Sequence, residues 1–178
     1  MPAMSFSLFK TRLYAFLLDY LIIVLYGGLV VGGISFILQS TITPLFSHSP
    51  VTAQWTGFLL ITLPVSFYFV IAEQSIWQGT VGKRMMGVRV VDQAGKRIGI
   101  GRSILRTTIK FLPWEVAHFV VWNLILPSGF SEMTLYVILS AVYITVFLYL
   151  ILPLTNPKRR SVYDWVAGTV VVNTQRTS

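Results

Sequence analysis

The chain alternates long apolar runs with short polar ones, and four runs are long enough to be membrane helices. They cover about residues 13–38, 53–72, 104–126 and 135–153. Each approaches or exceeds the ~20 residues that cross a ~30 Å hydrocarbon core. The first run is long enough to tilt, or to break at Gly27-Gly28 or Gly32-Gly33. Gly28 and Gly32 also form a GxxxG step, which permits close helix approach. Two of the connections, 39–52 and 127–132, are short and hold no Lys or Arg. Pro44, His48 and Pro50 mark the first as non-helical, and Pro127, Ser128 and Gly129 mark the second as a turn.

The third connection, 74–103, has a different pattern. Gly79-Thr80-Val81-Gly82-Lys83-Arg84 is turn-rich and basic, and Val88-Arg89-Val90-Val91-Asp92 then alternates apolar and polar. With Gln93-Ala94-Gly95 as a turn, residues 88–98 read as a small β-hairpin. Residues 169–173, Thr-Val-Val-Val-Asn, are a further β-prone run in the tail 154–178. A lone hairpin is marginal in water, so the tail strand is expected to join it. The pattern therefore predicts an all-α membrane fold of four transmembrane helices with a small β-rich cap, as a single domain over 1–178.

Charge orients this fold. All 14 Lys and Arg fall into three stretches. Lys10 and Arg12 open the chain, Lys83 to Lys110 lie around the third connection, and Lys158, Arg159, Arg160 and Arg176 follow the fourth run. Positive residues stay on the cytoplasmic side, so both termini and the β-rich cap are expected there. The net charge of +8 is confined to that face, which implies attraction to anionic lipid and not nucleic-acid binding. The chain is 54% hydrophobic and 11% charged, with a mean hydropathy of +0.72. That is about half the charged fraction of a soluble domain. With no Cys, disulfides and thiol chemistry are excluded. The first run exceeds a signal-peptide core and leads into further spans, so no cleaved leader is expected.

Ionisable residues inside the runs are the candidate chemistry. Asp19 lies about 9 Å below the cytoplasmic boundary at 1.5 Å per residue. Arg12 is two turns earlier on the same face and can reach it, as can a partner on another helix. The pair reads either as an orienting ion pair or as a carboxylate that alternates between a proton and a cation. Counted inward from Phe111, Glu115 and His118 lie about 6 and 10 Å deep and share a helix face. They read as a proton relay with Asp19, or as a polar seam locking two helices. Glu-x-x-His also serves di-iron bundles, but a full site needs two such motifs, so no metal or cofactor is expected. Glu73 ends the second run and can pair with the basic loop or Arg12, or snorkel to the interface. Trp77, Trp114 and Trp165 read as interface anchors, and Tyr14, Tyr20 and Tyr163 as potential donors to the acidic groups.

Three blocks carry a resemblance to a known family. They are Arg12 followed by Asp19, the segment Gly79-Thr80-Val81-Gly82-Lys83-Arg84-Met85-Met86-Gly87-Val88-Arg89-Val90-Val91-Asp92, and Arg159-Arg160-Ser161-Val162-Tyr163-Asp164-Trp165-Val166-Ala167-Gly168-Thr169. Together they resemble the signature of RDD-family membrane proteins, whose defining arginine and two aspartates would be Arg12, Asp19 and Asp164. The resemblance implies a prokaryotic inner-membrane protein, with monovalent cation/proton exchange ascribed to some members. Asp164 itself reads as a strut pairing with Arg102 or Arg106, or as part of a cytoplasmic vestibule.

Nucleotide and hydrolase motifs fail. Gly79-x-x-Gly82-Lys83 has Trp77 and Arg84 where a phosphate loop needs Gly and Ser or Thr. Gly99-Ile100-Gly101 lacks a third glycine, and neither His48 nor His118 has a nucleophile motif nearby. No enzyme activity is expected. Two functions stay open. One is a homo-oligomeric secondary transporter that exchanges a monovalent cation for protons through Asp19, Glu115, His118 and Arg12. The other is a scaffold that binds anionic lipid or a membrane protein through its basic loop, including Lys83, Arg84, Arg102 and Arg106.

Overall fold

The structure, a computed structural model, describes residues 5–174. Arg176 lies outside the described residues. The elements in chain order are α1 (Phe9–Ile37), α2 (Gln39–Ser47), α3 (Pro50–Gln74), α4 (Val81–Met85), β1 (Val88–Asp92), α5 (Ile100–Ile125), α6 (Glu132–Thr155), α7 (Val162–Val166) and β2 (Thr169–Asn173). Three helices, α1, α3 and α6, are long and apolar enough to cross a membrane. The segment expected as the remaining span is helical, as α5, but it is not among these three, and its first half carries Arg102, Arg106 and Lys110.

Two local expectations are corrected. α1 does not break at its glycines: Tyr26–Gly32 widens into a π-helical turn and the helix resumes at Gly33. In apolar surroundings every backbone group needs an internal partner, so widening costs less than opening. Residues 39–47 are helical despite Pro44, and the chain leaves the helix three residues after it. Ser49 then caps α3, its Oγ accepting from the Thr52 N–H at 3.1 Å, with Pro50 at the first helical position.

The chain divides into two compact units. The first comprises residues up to Ile22, Ser66–Lys110 and Leu148 onward. Its sheet pairs β1 with β2 antiparallel, with Val90 opposite Val171 and Asp92 opposite Thr169. Val88, Val90 and Val171 pack with Ile98 on one side, and Val91, Val170 and Val172 pack with Phe6 on the other. The tail strand thus joins as expected, but the hairpin over 88–98 does not form. Its return strand is reduced to one bridge, Val91 to Arg97. The Asp92 carboxylate accepts from the Ala94 and Lys96 N–H groups, making a tight turn, and α5 starts at Ile100 before a second strand can extend. Residues 5–7 run along the edge of β2, with Ser7 N–H donating to the Val171 carbonyl and Asn173 N–H to the Ser5 carbonyl. This covers an edge that would otherwise be open to pairing.

The second unit comprises Ile23–Val65 and Phe111–Phe147. There the π-helical segments Tyr26–Gly32 and Phe58–Thr62 pack together, and α2 packs on the start of α3.

Three prolines lie inside the long helices, and each follows one rule. A helical proline has no N–H for the carbonyl four residues back. Pro64 leaves that of Leu60, and the Tyr26 hydroxyl donates to it at 2.8 Å. Pro113 leaves that of Ile109, which accepts from the Tyr149 hydroxyl at 2.5 Å. Pro153 leaves that of Tyr149, which accepts from the Ser161 hydroxyl at 3.1 Å. Pro113 thus lies well inside α5, and a hydroxyl from elsewhere in the chain repairs the ladder.

Candidate functional site

Asp19 is 2% exposed and has three protein donors. Its Oδ1 accepts from the Tyr68 hydroxyl at 2.8 Å and the Gly82 N–H at 2.9 Å; its Oδ2 accepts from the Thr80 hydroxyl at 2.5 Å. Tyr68 in turn accepts from the Val81 N–H at 2.9 Å. The carboxylate therefore gathers the start of α4 onto α1. Close approach explains the glycine: a Cβ on Gly82 would sit 2.2 Å from the Ala15 carbonyl and 3.0 Å from the Asp19 Cγ. Gly79-Thr80-Val81-Gly82 is thus built to wrap a carboxylate that belongs to its own fold.

Arg12 does not pair with Asp19. Its guanidinium donates to the carbonyls of Arg159 at 2.5 Å and Val171 at 3.1 Å, and faces Asp164 at 3.5 Å. Arg106 is the centre of the same cluster. It donates to Asp164 Oδ1 through Nε at 3.0 Å and Nη2 at 2.8 Å, and to Glu73 at 2.5 Å. Glu73 also accepts from Lys83 and, at 3.2 Å, from Lys110. Both carboxylates are fully buried, so removing a cation would leave an unpaired charge at high cost. Asp164 further accepts from the Ser161 N–H, closing a capping box on α7, and from the Thr169 hydroxyl at the start of β2. Burial by itself pushes the Asp164 carboxyl up, but the adjacent Arg106 and Arg12 outweigh it and hold it below the usual carboxylate range. Burial pushes the neighbouring Tyr163 phenol up and lowers the Lys83 ammonium, the latter against the pull of Glu73.

Glu115 lies in the second unit. Its carboxylate accepts from the Gln54 amide at 2.6 Å and the Thr62 hydroxyl at 2.5 Å. It lines a cavity of about 70 Å³ with those two residues, His118, Trp114 and Trp122. At ~30 Å³ of liquid volume per water, that is room for about two waters. The His118 ring contacts its own helix, with Nδ1 3.0 Å from the Trp114 carbonyl and the ring edge-on to Trp114. Gln54 Oε1 and Trp122 Nε1 are buried without a hydrogen-bond partner among the described residues. Glu115 is 15 residues from the start of α5, or about 22 Å along the axis.

The expected residues therefore separate into three groups. Glu73, Lys83, Arg106 and Asp164 meet in one ionic cluster, with Arg12. Glu115 and His118 share the cavity, while Asp19 has its own cradle in the other unit. Arg102 pairs with Asp92 at 3.2 Å, not with Asp164, and Arg84 stacks over Trp77 at 4.1 Å. Glu73 does not snorkel, nor does it meet Arg12. Tyr14 and Tyr20 are exposed, and the tyrosine that serves Asp19 is Tyr68. Sequence reasoning also missed Thr80, Lys110, Gln54 and Thr62. Gln54 had a visible signal, as an amide inside an apolar run.

Residues 7–168 match the RDD family. A stretch of 51 residues is 33% identical to the "Uncharacterized protein YxaI" of Bacillus subtilis (strain 168), covering 29% of this chain and 33% of that protein. The chain thus spans about a third of the length of that curated relative. No solved structure matches the chain.

Proposed function

The chain belongs to the RDD family, and from that premise we propose a four-span protein of the prokaryotic cytoplasmic membrane, with both termini inside, that exchanges a monovalent cation for protons. Its working carboxylate is Glu115, with His118 beside it, and it acts as a homo-oligomer that enlarges the pathway. The observation that carries this reading is the cavity at Glu115. A carboxylate in a membrane helix is costly, and a neutral residue would pack there more cheaply. Here it borders water-sized space together with Gln54, Thr62 and His118. Asp19 has the opposite setting, since it accepts from Tyr68, Thr80 and Gly82 and fastens α4 to α1. In this proposal Asp19, Arg12 and Asp164 build the frame, and Glu115 does the exchange.

The test is cation-driven pH change in proteoliposomes holding wild type, Glu115→Gln or Asp19→Asn. Exchange is expected in wild type and absent in a folded Glu115→Gln, whereas Asp19→Asn mainly loses stability. Undiminished exchange in Glu115→Gln rejects the assignment of Glu115. No exchange in correctly oriented wild type rejects transport altogether. It would leave the second reading, a scaffold working through its basic face, which the commitment of Arg12, Asp19 and Asp164 to internal contacts supports.

A further inference from the structure

We propose that Lys83 and Lys110 form a binding site for a phosphate group, that of an anionic phospholipid or a free phosphate. This inference stands whether or not the protein exchanges ions. Its basis is a charge imbalance. Five ion pairs join four cations, Arg12, Lys83, Arg106 and Lys110, to two carboxylates, Glu73 and Asp164. The next nearest charges do not correct this: Asp19 acts on Lys83, but Arg159 acts on Arg12. With all four cations protonated, an excess of two positive charges sits among largely buried groups, where uncompensated charge is costly and a bound anion would relieve it.

Exposure shows where a counter-anion would enter. Glu73 and Asp164 have no exposed side-chain surface, while Lys83 and Lys110 keep 13% and 17% of theirs. The outer surface of the cluster is thus cationic only. Both ammoniums donate to the same oxygen of Glu73, which holds them side by side. Each ammonium has three donors and spends one on Glu73, so the others can point outward. Lys110 lies 3.9 Å from the Phe69 ring centre and Lys83 5.6 Å, contacts that offset part of the cost of burying their charge. Two fixed ammoniums with spare donors suit an oxyanion with several acceptor oxygens. In the four-span arrangement the site lies where the cytoplasmic end of α3 passes into the loop, at the level of lipid headgroups.

The experiment measures thermal unfolding of purified wild type in neutral detergent with added phosphatidylglycerol, phosphatidylcholine or inorganic phosphate. Phosphatidylglycerol is expected to raise the midpoint by on the order of 5 °C near a hundredfold excess over Kd, and phosphatidylcholine to leave it in place. A matching rise with inorganic phosphate makes the ligand a free phosphate; no rise with it makes the ligand a lipid. Lys83→Gln and Lys110→Gln should lose most of the shift, and Lys96→Gln, exposed and outside the cluster, should keep it. Should either cluster variant fail to fold, the count of phosphatidylglycerol molecules retained by wild type in native mass spectrometry decides, with at least one expected and none overturning the proposal. Equal midpoints in all three additives also overturn it. So does a full shift in both cluster variants, which would mark diffuse surface attraction.

Discussion

Gly82→Ala isolates the contact between α1 and α4. In a helix with open space, Gly to Ala gains about 0.5–1 kcal/mol. Gly82 has a helical backbone, but its added Cβ would lie 2.2 Å from the Ala15 carbonyl, where contacts below 3.0 Å are not tolerated. The start of α4 must therefore retreat by about 0.8 Å. The 2.9 Å bond from Gly82 N–H to Asp19 would stretch to about 3.7 Å, past the ~3.2 Å limit of a useful bond. Losing a bond to a buried carboxylate costs about 1.5–3 kcal/mol, and the overpacking about 1–3 more. After the gain in helix propensity, a net loss of about 2–5 kcal/mol is expected. The assay is equilibrium unfolding of the purified protein in mixed micelles, followed by tryptophan fluorescence. Gly101→Ala is the control: Gly101 is in α5, and a Cβ added there would meet nothing within 4 Å, so that variant should match or exceed wild type. Equal stability of the two variants would refute the claim that Asp19 and Gly82 form a close-packed latch.

Tyr149→Phe removes the donor to the Ile109 carbonyl freed by Pro113 and should cost about 1–3 kcal/mol. In a Pro113→Ala background the loss should shrink, because the Ala N–H can reach that carbonyl; a double-mutant cycle with no coupling would break the link. Arg106→Leu leaves Asp164 facing only Arg12 and should destabilise by about 3–5 kcal/mol, read from the same unfolding curves. The folded-state pKa of Asp164 is below its unfolded value. Its contribution is thus complete above the ordinary carboxylate range and is lost as pH falls through the lowered value. Stability measured from pH 7 downward should show an acid limb that is shallower in Asp164→Asn.

Much of this protein is one-dimensional information. Apolar run length sets the helices, because a backbone without water must hydrogen-bond within its own segment. The alternation at Val88–Asp92 and the valines at 170–172 set the two strands for the same kind of reason, as β-branched residues buried by neighbours. The ionisable residues are also visible, since Asp19, Glu73, Glu115 and Asp164 stand out against apolar or basic surroundings. Their partners are not. Arg12 is 7 residues from Asp19 but bonds to residues 147 to 159 positions away, because a guanidinium goes where several carbonyls and a carboxylate converge. Only the packed chain creates such a place. The hairpin is cut short for a local reason: the turn at Asp92 is legible, but α5 begins at Ile100, so a single Val91–Arg97 bridge forms on the edge of β1 opposite β2. Arg106 and Lys110 are likewise explained only in three dimensions: both sit inside α5, and the buried carboxylates that pair with them there come together only in the packed chain.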